Sequence, residues 1–111
     1  MVGLIILLLI FHGTAYADVA SWYGGGERLN EYTASGRKFN PTEMGCASWH
    51  YPLKSRIRVT NVANGKSIIV TVYDKGPSKR LGRKIDLYRE AFKEIADLDD
   101  GLINVRIKKY D

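Results

Sequence analysis

Residues 55–74, SRIRVTNVANGKSIIVTVYD, dictate more about the fold than any other stretch of this chain. Ile57 and Val59 alternate with Arg56, Arg58 and Thr60, the spacing of a half-buried strand. Ile68, Val70 and Val72 alternate in the same way with Ile69, Thr71 and Tyr73. Between the two runs, Asn64-Gly65 supplies a tight hairpin turn. A lone hairpin is marginal in water, and its unpaired edges invite unwanted pairing. The rest of the chain must therefore complete a sheet around it.

Residues 18–24, DVASWYG, read as a first strand, with Val19, Ser21 and Tyr23 against Ala20 and Trp22. Residues 24–41 are Gly-rich and polar, with turn signals at Ser35-Gly36 and Asn40-Pro41. A loop of that length inside a compact domain is usually functional. Residues 42–53 read as a helical turn capped by Thr42, followed by the aromatic-rich Trp49, His50 and Tyr51. Residues 78–84 form a basic loop. Over 85–98 the period changes: Ala91, Phe92, Ile95 and Ala96 share a helical face, with Asp86 as a candidate N-cap. Ile103, Val105 and Ile107 mark a last strand. The expectation is a mainly β domain: about six short strands closed into a small barrel, which leaves no edge exposed, with one short helix.

The first 17 residues stand apart. An apolar run over residues 2–11 gives way to small and polar residues, and Ala15-Tyr16-Ala17 fits the A-x-A pattern of signal cleavage. The run is too short for a comfortable span, which needs about 20 residues. This predicts a signal peptide over 1–17 and an exported domain over 18–111, with no membrane anchor after cleavage. Cys46 is the only cysteine, so no internal disulfide forms, and the core must hold the fold. Cys46 itself reads as a small buried hydrophobe. No Cys/His pair has metal-ligand spacing, so neither a metal nor a cofactor is expected. The net charge is +5, and every charged side chain lies beyond residue 17. A basic exported domain suits an anionic wall polymer, while export argues against nucleic acid.

Four segments taken together carry a resemblance: ASWYG (20–24), TASGRKFNP (33–41), residues 52–77 from Pro52-Leu53 to YDKGP, and GRKIDLYREAF (82–92). In this order they resemble the double-psi β-barrel domain of the rare lipoprotein A (RlpA) family of cell-envelope lytic transglycosylases. The resemblance spans nearly all of the chain after residue 17. It implies cleavage of peptidoglycan glycan strands between N-acetylmuramic acid and N-acetylglucosamine, leaving a 1,6-anhydro end. It also implies peptidoglycan as the partner and no cofactor; a monomer is the expectation. The same barrel occurs in expansins, so a non-catalytic, expansin-like glycan-binding module is the alternative.

The implied chemistry needs one carboxylic acid. Ordinary glycosidases use two carboxyl groups. Here the sugar's own 6-hydroxyl attacks, so a single acid can protonate the glycosidic oxygen and then take the hydroxyl proton. Asp74 matches the Asp of the family's NDRGP motif, at the end of an apolar strand and before Gly76-Pro77. Read from the residues alone, Asp74 is a turn-forming Asp before it is a catalytic acid, and the resemblance reverses that order. Asp86 matches the Asp of the IDLS motif, and competes with its own reading as a helix cap. Two positions depart from the family: Arg37 stands where a Glu is expected, and Ser48 where a His is expected. His50, Glu43 and Glu27 are nearby candidates to serve the same groove. The catalytic candidates are thus Asp74, Asp86 and His50. The substrate-binding candidates are Tyr23, Trp49, Tyr73 and Arg37, with Trp22 a further aromatic that suits either sugar stacking or core packing. Arg56, Arg58, Lys79, Arg80 and Arg83 form a basic set suited to wall anions or simply to a solvated face.

Overall fold

The computed structural model describes residues 18–26, 31–77 and 85–111. Residues 1–17, where a signal peptide is expected, Glu27, and the basic residues Lys79, Arg80 and Arg83 lie outside the described residues. The elements are β1 (Asp18–Tyr23), β2 (Gly45–Ala47), β3 (Arg56–Asn61), β4 (Ser67–Asp74), β5 (Ile85–Tyr88), α1 (Arg89–Ile95) and β6 (Ile103–Lys109). The six strands form a closed barrel in the order β1-β5-β2-β4-β3-β6. Strand β1 pairs with β6, which pairs with β3, and this closes the ring.

The hairpin is as the alternation predicts. β3 and β4 run antiparallel from Arg56↔Thr71 to Thr60↔Ser67. Gly65 takes φ +77° in the turn, a left-handed conformation open to glycine at little cost. Ile57, Val59, Val70 and Val72 fill the interior with Ala20, Cys46, Ile85, Leu87 and Val105. Burial pushes the Cys46 thiol up, with a smaller push from the Asp86 charge. A thiol held protonated in this way is inert.

Two strands escape the local pattern. β2 has three residues, too few to show a period. β5 abuts the helix, so its residues read as the helix's first turn. Ile85 and Leu87 are buried and pair with Ala20 and Trp22 of β1, a parallel partnership far away in sequence. The helix therefore covers Arg89–Ile95 rather than 85–98, and a 3-10 turn at Leu98–Asp100 follows. Asp86 is not its N-cap: Tyr88 holds that position, and makes no side-chain cap bond. Nor is there a helix at Thr42. Asn40 Oδ1 accepts from the Thr42 amide at 3.0 Å and from its hydroxyl at 2.7 Å, so the polar turn is organised by Asn40.

The C-terminus of α1 is satisfied from the β3–β4 turn. The buried Asn61 donates its side-chain amide to the Ile95 carbonyl at 2.7 Å, and Asn64 donates to the same oxygen at 3.0 Å. Asn61 Oδ1 also accepts from the Ala63 amide at 3.0 Å. The hairpin turn thus clamps the helix on the barrel. Replacing Asn61 by Ala strands buried polar atoms, and should lower unfolding free energy by about 2 kcal/mol in urea titration. Asn64→Ala, at a more exposed position, should cost less than half as much.

The site lies on an irregularity between β2 and β4. Cys46 pairs with Val72, yet Ala47 pairs with Asp74, so β4 carries one extra residue, Tyr73. Bulges of this kind re-aim side chains. Plain alternation would send Asp74 to the interior with Val70 and Val72. The bulge puts it on the outer face, beside Tyr73.

Candidate active site

Asp74 and Asp86 are both register partners of Ala47, one on each side of β2. Their backbones are therefore two strand spacings apart, about 10 Å. Asp86 is also the partner of Ser21 on β1. Ser21, Asp86, Ala47 and Asp74 form one row across four strands, on the face turned away from Leu87 and Cys46. Ser21 donates its hydroxyl to Asp86 Oδ1 at 2.9 Å, which holds that carboxylate toward β1 and away from Asp74. The two acids share one surface, on strands that flank β2.

The loop before β2 closes over this row. Ala34 donates its amide to Asp74 Oδ1 at 3.0 Å, and Lys75 donates to the same oxygen at 2.9 Å. Ser35 donates its amide to the Tyr73 carbonyl at 3.0 Å. Inside the loop, Thr33 is buried, and its hydroxyl bonds the Ser35 hydroxyl at 2.8 Å and the Arg37 carbonyl at 3.0 Å. TASGR is thus a pre-formed turn that aims one carboxylate. Among the described residues, Asp74 Oδ2 has no hydrogen-bond partner.

Three rings pack beside the acids. Tyr23 stacks on Phe39 at 5.2 Å and meets Tyr88 edge-on at 5.4 Å, while Phe39 meets Tyr88 edge-on at 4.8 Å. The rings need Gly45 beneath them. A Cβ there would lie 2.6 Å from the Tyr88 ring and 2.7 Å from the Tyr73 ring. Burial pushes the Tyr23 phenol far above its ordinary range, helped by the neighbouring Tyr88 phenol and by the Asp74 and Asp86 charges. Burial also raises Tyr88, with Asp74 adding to the shift. The two hydroxyls perturb one another, but Tyr23 Oη is buried and, among the described residues, meets no partner at hydrogen-bond geometry. A buried, neutral phenol is therefore held within the field of both carboxylates.

Arg37, in the position where the family resemblance expects a Glu, lies over the Tyr73 ring at 4.8 Å. It forms an ion pair with Glu43, so a carboxylate does stand at this end of the groove and balances the reversed charge. Ser35, Gly36, Arg37, Lys54, Thr71 and Tyr73 line a cavity of about 340 Å³ beside Asp74. On the other flank, Trp49 is 48% exposed and donates its indole N–H to the Pro77 carbonyl at 2.6 Å, with Lys75 about 6.0 Å above its ring. This is an apolar platform fixed across the segment that follows Asp74. Ser48 is buried, donates its amide to the Asp74 carbonyl at 3.0 Å, and accepts from the His50 amide at 3.1 Å.

Of the sequence-derived candidates, Asp74, Asp86, Tyr23, Tyr73 and Arg37 converge on one face, with Trp49 at its edge. His50 is exposed, and among the described residues its ring has no polar contact. Trp22 packs against Phe92 and donates its indole N–H to the Leu98 carbonyl at 3.0 Å, so it belongs to the core. Arg56 and Arg58 point outward from β3 around Tyr110, and Arg56 pairs with Asp111. Tyr88, Phe39 and Lys54 join the site from the structure and not from the sequence reading. For Tyr88 a signal exists: the alternation of IDLY, read as a strand, places it on the face of Asp86.

Removing the unpaired phenol separates stability from function. Tyr23→Phe should leave stability at neutral pH unchanged or raised by about 1 kcal/mol in denaturant titration. It should nevertheless weaken whatever activity the acids carry. The wild-type protein should also lose stability as pH rises past about 10, because Tyr23 and Tyr88 ionise there in the unfolded chain but are held protonated by burial in the folded one. Tyr23→Phe should make that alkaline loss shallower in urea titrations repeated from about pH 8 to about pH 11.

Comparison with known proteins agrees with this geometry. Residues 16–107 match the family described as lytic transglycolase. A protein of Nostoc sp. named probable endolytic peptidoglycan transglycosylase RlpA is 39% identical over 95 residues, covering 85% of this chain and 25% of its own. The chain spans between about a quarter and two-fifths of the length of the curated relatives it matches. Among solved structures, a Streptomyces papain inhibitor superposes with TM-score 0.62 at 25% identity, covering 84% of this chain and 93% of that one. A Clavibacter michiganensis expansin variant in complex with cellohexaose superposes with TM-score 0.67 at 18% identity, covering 86% of this chain and 50% of that one. The barrel closed around the Asp74 row is thus the double-psi barrel, and the chain belongs to the RlpA-like lytic transglycolase family.

Proposed function

We propose that this protein is an exported endolytic transglycosylase of peptidoglycan, with Asp74 as its acid. The observation that carries the reading is the bulge that turns Asp74 out of the core onto the face that carries Asp86 and Tyr73. Two backbone amides use Asp74 Oδ1 as an acceptor, which leaves Oδ2 as the oxygen to exchange a proton with the substrate. In the proposed reaction Oδ2 protonates the glycosidic oxygen as the C1–O bond breaks. The 6-hydroxyl of the same sugar attacks C1, and Asp74 takes its proton, which restores the acid and leaves a 1,6-anhydro ring. No water enters the balance. Asp86 acts across the groove as a fixed negative charge that favours the cationic sugar of the transition state.

A second reading is a non-catalytic, expansin-like glycan-binding module. Ser48 favours it, being a buried hydroxyl where the family resemblance expects a titratable His. Digestion of purified sacculi, read by mass spectrometry for 1,6-anhydro-muramic ends, separates the two. Wild-type protein should produce such ends. Asp74→Asn should reduce them at least a hundredfold while still sedimenting with sacculi. A folded wild-type protein that binds sacculi and yields no anhydro ends would establish the binding module instead.

A further inference from the structure

The cavity beside Asp74 is chemically unlike the rest of the groove. Its walls carry two cations, Arg37 and Lys54, with the hydroxyls of Ser35 and Thr71 and the Tyr73 ring. Its volume of about 340 Å³ lies within the range of small-ligand sites. It is tied to the acid through the loop: the turn that bonds Asp74 through Ala34 lines the cavity through Ser35, Gly36 and Arg37. Arg37 is already balanced by Glu43, but Lys54 has no acidic partner among the described residues. Lys54 is also the one non-glycine residue with positive φ among the described residues, at +73°. Its amide is fixed to the Val72 carbonyl of β4 at 2.7 Å. Strained backbone persists where the surroundings over-determine it, and it gathers at ligand sites. Here the strain sets the base of an exposed ammonium against β4 beside the groove.

We propose that this cavity is a subsite for a carboxylate borne on the glycan strand next to the cleaved bond, and that Lys54 reads it. The inference rests on the peptidoglycan reading given above and names the feature of the strand that is recognised. The strand alternates two amino sugars that differ in the lactyl ether of the muramic residue. That ether ends in a carboxyl group, which is either free or linked to a peptide stem with carboxylates of its own. A cation on the cavity wall distinguishes the two rings and sets the register in which Asp74 meets the strand. Arg37, 4.8 Å above the Tyr73 ring, contributes a second donor to the same wall.

The test uses the full chain and three glycan probes: sacculi with intact stems, glycan stripped of stems by an amidase, and stripped glycan whose carboxyl groups are blocked as methylamides. Lys54→Asn is the informative variant, because Asn tolerates left-handed backbone and preserves the turn. Wild-type protein should bind at least one carboxylate-bearing probe about tenfold more tightly than the blocked glycan, the scale of one charge-assisted hydrogen bond. Lys54→Asn should lose that tenfold and match wild type on blocked glycan, and Lys54→Arg should recover most of it. Preference for stripped glycan over intact sacculi identifies the lactyl carboxylate, and the reverse identifies the stem. Equal wild-type binding to blocked and unblocked glycan overturns the subsite, as does a Lys54→Asn loss of the same size on both. Wild-type cleavage with indifference to blocking overturns the subsite alone, whereas failure to bind any probe overturns the peptidoglycan reading with it.

Discussion

The single extra residue in β4 decides what this barrel presents to solvent. Strand alternation obliges every second side chain of β4 to enter the core, and Val70 and Val72 do so. Continued without interruption, the pattern would bury Asp74 in an apolar interior, where an unpaired charge is very costly. The shift between the Val72–Cys46 and Asp74–Ala47 pairs releases the strand from that obligation. Tyr73 and Asp74 then emerge together. The groove, the turn that closes it and the cavity beyond it all take their positions from this point.

The loop over residues 31–41 converts exposure into aim. Its polar turn sends amides to the Tyr73 carbonyl and to Asp74 Oδ1. Its Phe39 joins Tyr23 and Tyr88 in one aromatic wall, made possible by the missing Cβ of Gly45. A carboxyl held rigidly by amides and backed by packed rings is what proton transfer at one group demands. The unpaired Tyr23 hydroxyl is the cost visible at this wall, and its position near both acids suits a functional surface better than an optimised core. Arg37 and Glu43 show how the chain accommodates an altered residue, since the new cation arrives with a carboxylate to pair with.

Much of this was legible in the residues. The β3–β4 hairpin followed from two alternating runs around Asn64-Gly65, and the buried face of α1 from Ala91, Phe92 and Ile95. Asp74 and Asp86 were legible as site candidates through their motifs. What stayed hidden is non-local. β2 is too short to announce itself, and β5 became a strand because β1 and β2 flank it, not because of its own period. Asp86 consequently looked like a helix cap. The bulge was invisible for the same reason: a run of alternating residues does not reveal where its partner slips register. Lys54 escaped notice because positive φ at a lysine contradicts local preference, and only the fold around it imposes that conformation.

The central claim is that one carboxyl, turned outward by the bulge, meets the bond to be cleaved. The most direct measurement is a crystal structure of the Asp74→Asn variant with a peptidoglycan tetrasaccharide. The account predicts a glycosidic oxygen within about 3 Å of the substituted side chain and a sugar ring lying along Trp49 or Tyr73. A strand bound at the opposite end of the barrel, by the Asn61–Asn64 turn and the Leu98–Asp100 segment, with nothing at residue 74, would contradict it.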